Sequence, residues 1–218
     1  MMGWQLGPGV GFCQVAGDPV FLDLARDKYF ALRGQDRAAF ERLRRGEPND
    51  SDAMTRLVAT GLIARCDSAT SLEPSQAAVP LGDLASHEDS RFGWPMALRA
   101  ALALRWARRA MQPSEIAATV GKLAQAKRRL GVAGDEGAVV DIARRYAACR
   151  WLVPVRTRCL VDALALDHLL LKRRLATTLV FGVRLDPFAA HCWLQTPDTV
   201  LTGTSAEARN YTPILVVR

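Results

Sequence analysis

Cys159 and His191 are the two side chains whose types and spacing suit nucleophilic chemistry. Cys159 stands near the start of TRCLVDALALDHLLLKRRL, which reads as a helix. A cysteine in a first turn feels the positive end of the helix dipole, which favours thiolate over thiol. His191 follows in ATTLVFGVRLDPFAAHCWLQTPD, which reads as two strands. A histidine on a neighbouring strand can form the ion pair that makes a cysteine a nucleophile. The helix and strand between them let the chain return and bring the two side chains together. Phe188 and Trp193 supply an apolar wall around the histidine.

The other candidates fall away on distance or surroundings. His168 comes nine residues after Cys159 on the same helix, about 13 Å along the axis at the helical rise, too far to be its base. His87 stands in a polar stretch and is read as solvated. Cys192 points to the sheet face opposite His191 and is read as core. Cys13, Cys66 and Cys149 are read as packing residues. Ligands this scattered predict no metal site. No phosphate-binding Gly-rich loop occurs, and no cofactor is expected.

A chain of 218 residues can bury a real core. Half of its residues are hydrophobic and the net charge is +7, carried mainly by arginine. That charge suits an anionic partner, while arginines on helix faces are more often solvated or ion-paired. Five cysteines, an odd number without a CxxC pair, argue against a disulfide framework or zinc ribbon and for a reducing compartment. The N-terminal MMGWQLGPGVGF lacks a charged segment followed by a long apolar run. The apolar run from Pro95 to Leu104 is too short to span a bilayer. A soluble cytoplasmic protein is expected.

Residues 10–32 read as three short strands in hairpin order, turning at Gly17–Pro19 and at Arg26–Asp27. DRAAFERLRRG is a helix stopped by Gly46, and SDAMTRLVATGLIA is a second one capped by Asp50 or Ser51. Three strands and two or three helices in residues 1–66 suggest a small winged-helix-like domain. Residues 67–92, rich in Ser, Pro, Asp and Ala, read as a linker marking an independent boundary. The rest, 93–218, reads as α+β: three helices, Pro154 as a stop, then the cysteine helix capped by Thr157. Strands at 178–183, 192–195, 200–204 and 212–217 should form an antiparallel meander.

The stretches RCLVDALALDHLLLKRR, LVFGVRLDPFAAHCWLQ and NYTPILVV, in this order and spacing, resemble the transglutaminase-like cysteine peptidase of lasso peptide maturation, the B protein. The fold implied is transglutaminase- or papain-like with an antiparallel sheet. DKYFALRGQDRAAFERLRRG, ending in LVATGLIA, resembles the small leader-recognition domain of ribosomal peptide pathways. Both halves together resemble the fused form of that family. The resemblance implies binding of a precursor peptide's leader and hydrolysis of the peptide bond after it, with Cys159 as nucleophile and His191 as base. An ATP-dependent, asparagine-synthetase-like cyclase is the implied partner. The candidate leader-binding strand is Lys28 to Leu32, with Tyr29, Phe30 and Leu32 alternating across it and Leu57 and Val58 as possible groove residues from the helix. A leader peptide can add to such an edge as a further strand. The rival reading from another class is a winged-helix regulator that binds nucleic acid, with a non-catalytic C-terminal domain. No interleaved aromatic pattern or zinc-finger spacing supports it.

The sequence departs from that family at the third member of the site. Where the family carries an aspartate, this chain has Gly203, in VLTG. Asp198 at the hairpin tip would lie about 20 Å along the strand from His191 at the strand rise. Cross-strand pairing of Gln195 with Val200 instead sets Thr204 opposite His191, so Thr204 or a backbone carbonyl near Gly203 is the expected orienter.

Overall fold

The structure is a computed structural model that describes residues 3–67, 72–84, 93–112, 114–150, 152 and 158–218. His87, Pro154 and Thr157 lie outside the described residues. The chain opens with strand β1 (Gly3–Leu6) and the meander β2 (Val10–Val15), β3 (Asp18–Asp23) and β4 (Lys28–Ala31). Left-handed Ala16 and Gly17 turn β2 into β3, and left-handed Asp27 turns β3 into β4. Helix α1 (Gly34–Arg44) follows, then α2 (Ser51–Ala59), where the Asp50 carboxylate caps the Ala53 N–H.

The second helix ends earlier than its apolar pattern suggests. Gly61 is left-handed, and Ile63–Cys66 becomes strand β5, antiparallel to β1. The Leu62–Ile63 run continues the helical period, but β1 offers it a ladder partner that local pattern does not reveal.

The C-terminal part contains β6 (Gly82–Asp83), α3 (Trp94–Ala110), α4 (Ile116–Leu130), α5 (Glu136–Arg150) and α6 (Cys159–Leu171). These are followed by β7 (Thr178–Leu185), β8 (Phe188–Gln195), β9 (Thr199–Val200), α7 (Ser205–Ala208) and β10 (Thr212–Val217). Pro95 sits in the first turn of α3, where its missing N–H costs nothing, and left-handed Gly131 closes α4. No helix among the described residues is long and apolar enough to cross a membrane. The sheet order is β10-β7-β8-β9-β6, antiparallel except for β6 against β9. The expected strand at 200–204 shrinks to the two residues of β9, and α7 occupies the chain after it.

Helix α6 is apolar on nearly all sides and is buried accordingly, against α3, α4, α5, β7 and β8. Its one buried charge, Asp167, is met by Lys127 of α4 at 2.9 Å. The other Asp167 oxygen accepts from Thr177 Oγ1 at 2.8 Å, and Lys127 also donates to the Val217 carbonyl. Removing one partner of a buried pair strands the other charge, so Lys127→Ala should destabilise the fold by about 3–5 kcal/mol. Urea unfolding of the variant measures this.

The N-terminal meander is buried on both faces. On one, Phe12 and Phe21 meet Phe40 of α1, with ring centroids 4.9–5.5 Å apart. On the other, Cys13, Val20, Leu22 and Leu24 join the same core as α3 to α6. β10 crosses β2 so closely that a Cβ on Gly11 would lie 2.2 Å from the Ile214 carbonyl oxygen. Of the stretch read as a linker, residues 72–84 are a strap bonded to both halves. Ser75 N donates to Phe12 O, its hydroxyl donates to Ile214 O, and Gln195 donates to Ala78 O. The sheet of residues 1–66 is thus one half of a shared core. A fragment of residues 1–66 should expose that face, bind a hydrophobic dye and unfold without a cooperative transition, which calorimetry would register.

Candidate active site

Cys159 is the first residue of α6 and is exposed. Its N-cap, Arg158, is extended and its own side chain makes no capping hydrogen bond to the first turn. A helix start of this kind can receive an anionic oxygen. Asp162, one turn on, is paired with Arg150 of α5, which fixes the start of α6 and compensates that carboxylate. Of the remaining cysteines Cys13, Cys149 and Cys192 are buried, and all five are free thiols. Burial holds the Cys192 thiol well above its ordinary value, with the charge of nearby Cys159 adding to the effect.

His191 lies in β8, directly opposite Gly182 of β7. Alternation sends Cys192 to the face packed on the helices and His191 to the other face. There the imidazole stacks between Tyr211, at 5.1 Å, and Trp193, at 5.8 Å. Burial pulls the His191 pKa below the ordinary imidazole value, and the Glu207 carboxylate partly offsets this. The thiol and the imidazole are not hydrogen-bonded to each other; Nε2 is buried and has no partner. β8 pairs with β9 at Gln195, and the chain beyond β9 stays bonded to Leu194 through Leu201 N and Thr202 Oγ1 before passing beside His191 at Gly203.

The surroundings of His191 correct the expected orienter. Gln195 does pair with Val200, but the chain then leaves the sheet. The Thr204 hydroxyl accepts from the Glu207 N–H and caps α7, and no carbonyl holds Nε2. The group facing the imidazole is Glu207, with Oε1 3.8 Å from Nδ1. The sequence carried a signal for it: TSAE is a Thr-x-x-Glu capping box, which places a helix start at Thr204 and Glu207 in its first turn.

The candidate recognition residues separate. β4 is an edge strand of its sheet. Phe30 and Leu32 pack toward α1 and α2, and Leu57 is fully buried in that core, so Leu57 lines no open groove. Val58 is exposed. Tyr29 faces the other way and meets Phe188, the first residue of β8, edge to face at 5.4 Å. Burial pushes the Tyr29 phenol up to about 12, helped by the charges of Cys192, Asp27, Cys159 and Cys13.

His168 is remote from this site in role as well as distance. It stacks on Trp106 at 3.8 Å, and burial, then the Lys172 charge, brings its pKa down to about 4. It belongs to a cleft lined by Trp106, Arg109, Lys122 and Lys172 at the other end of α6.

Residues 95–216 match the family model described as transglutaminase-like superfamily. Neither the curated proteins nor the solved structures contain a match to the chain. Gly182 makes the site possible, because a Cβ there would lie 2.7 Å from the Trp193 ring and 2.8 Å from Tyr211 Cβ. Gly182→Ala should cost about 1–3 kcal/mol of stability and disturb both rings stacked on His191. Denaturant unfolding, with the His191 ring resonances as a local probe, tests this.

Proposed function

Because the chain belongs to the transglutaminase-like superfamily, which includes cysteine peptidase-like enzymes, we propose that it is the leader peptidase of lasso peptide maturation. Cys159 is the nucleophile and His191 the base. The imidazole takes the thiol proton, and the thiolate attacks the carbonyl carbon of the leader–core bond. The N–H groups at the start of α6 receive the oxyanion. The amine of the core leaves with the imidazolium proton, giving an acyl-enzyme thioester on the leader. Water, deprotonated by His191, then hydrolyses the thioester and frees Cys159.

The observation that carries this reading is the position of Tyr29. An edge strand able to take a peptide by strand addition meets Phe188, the first residue of the strand that bears His191. Tyr29, Phe30 and Leu32 then set the edge, Val58 remains available to the peptide, and Leu57 supports the wall from behind. The precursor peptide is the substrate, and the lasso cyclase takes the released core. Nucleic-acid binding by the same part of the chain draws less support, since its arginines are engaged. Arg37 pairs with Asp18, Arg44 with Glu41, Arg45 with Glu47 and Arg56 with Asp36.

Cys159→Ala and His191→Ala should each reduce cleavage of the precursor by at least about a thousandfold, as loss of a nucleophile or its base does, while melting close to the parent. Mass spectrometry of the precursor after incubation measures the products. Cleavage by a folded Cys159→Ala protein would overturn the assignment. Acidification should also suppress the reaction, because a protonated His191 cannot act as base, and burial places that loss below the usual imidazole range.

A further inference from the structure

We propose that Glu207 has taken over the imidazole-orienting position that Gly203 leaves empty, so that the carboxylate of this site is delivered from α7. The inference rests on reading Cys159 and His191 as the catalytic pair, and Glu207 acts through His191 as a positioning residue.

Three observations converge on it. Glu207 Oε1 lies 3.8 Å from His191 Nδ1. A Cβ built on Gly203 would lie 3.5 Å from His191 Nε2 and 3.4 Å from Glu207 Oε2. A side chain at 203 would therefore start against the Glu207 carboxylate and on the Nε2 side of the ring, while Glu207 itself faces Nδ1. Finally, the capping box is half used. The Thr204 hydroxyl accepts from the Glu207 N–H, while the carboxylate, which in the full motif turns back to the N-cap N–H, points to His191 instead.

The glycine and the glutamate suit each other. With Gly203 at φ +78, the chain turns sharply out of the sheet and starts α7 beside the histidine. The longer glutamate side chain then spans from α7 to the ring. A carboxylate at Nδ1 holds the imidazole in the tautomer with the proton on Nδ1, leaving the Nε2 lone pair as base, and it stabilises the imidazolium that forms. The other groups about the ring are Tyr211 and Trp193, which stack on it, and Arg184 of β7, whose guanidinium sits over the Tyr211 ring at 5.6 Å. Glu207 is the one carboxylate among these neighbours.

The test uses the full chain with histidine labelled for NMR, and iodoacetamide as the probe of Cys159. Glu207→Gln should lower the His191 titration midpoint by roughly half to one pH unit, as expected for losing one charge about 4 Å away in a largely aqueous setting. Alkylation of Cys159 at neutral pH, followed by peptide mass spectrometry, should slow several-fold. Glu207→Asp keeps the charge and should retain most of the midpoint. Glu207→Gln combined with Gly203→Asp should restore the midpoint but not the alkylation rate, because its carboxylate starts beside Nε2 rather than Nδ1; a purely structural role for Glu207 would restore neither. An unchanged His191 midpoint in folded Glu207→Gln overturns the proposal. If the double variant fails to fold, because Gly203 is left-handed, Glu207→Asp decides: a midpoint as low as that of Glu207→Gln also overturns it. The underlying reading fails separately. If His191→Ala leaves Cys159 alkylation unchanged while Glu207→Gln still shifts His191, the pair is not catalytic and the Glu207–His191 interaction stands.

Discussion

A helix that is apolar on every side has to be covered on every side, and in this protein that helix is α6. The requirement recruits α3, α4 and α5 on one flank and β7 and β8 on the other. Side chains such as Val161, Leu164, Leu166 and Leu170 are buried as a result. The end that escapes coverage is the N-terminal one, and Cys159 stands there. The same burial forces Asp167 to find Lys127 and Thr177 inside the protein, because an unpaired carboxylate there would cost several kcal/mol. The position of the thiol follows from the covering of one helix.

The histidine is held by a different device. Glycine at 182 leaves the space in which Trp193 and Tyr211 close on the imidazole. The strap of residues 72–84 then seals this sheet face. Gln195 accepts from the Trp193 indole and donates to Ala78 O, and the Asp83 carboxylate accepts from the Ser205 N–H at the start of α7. A segment whose composition suggests a passive spacer is thereby tied to the helix that carries Glu207.

The N-terminal meander shares its core with the helices, so the two halves of the chain are linked energetically as well as covalently. Tyr29 and Phe188 are the visible joint: one ring belongs to the edge strand, the other to the start of the strand that bears His191. A peptide bound along β4 would press on that joint.

Much of this was written into local pattern. The meander and α1 follow from alternation, period and turn residues, and so do the four long helices and strands β7 and β10. The start of α6 at Cys159 and the core placement of Cys192 could be read in the same way. Each depends on neighbours within a few positions, which is the range over which propensity and periodicity act. The family resemblance read from the C-terminal motifs agrees, at the level of superfamily, with the match over residues 95–216. Tertiary structure decided what long-range partners control. β5 exists because β1 offers it a ladder; residues 72–84 form a strap because Phe12, Ile214 and Ser205 need polar partners there. Leu57 is core because α2 turns it inward. The carboxylate beside His191 comes from Glu207, since the left-handed turn at Gly203 folds α7 back onto the sheet. No local rule connects residue 207 to residue 191. Only the closed chain brings them within 3.8 Å.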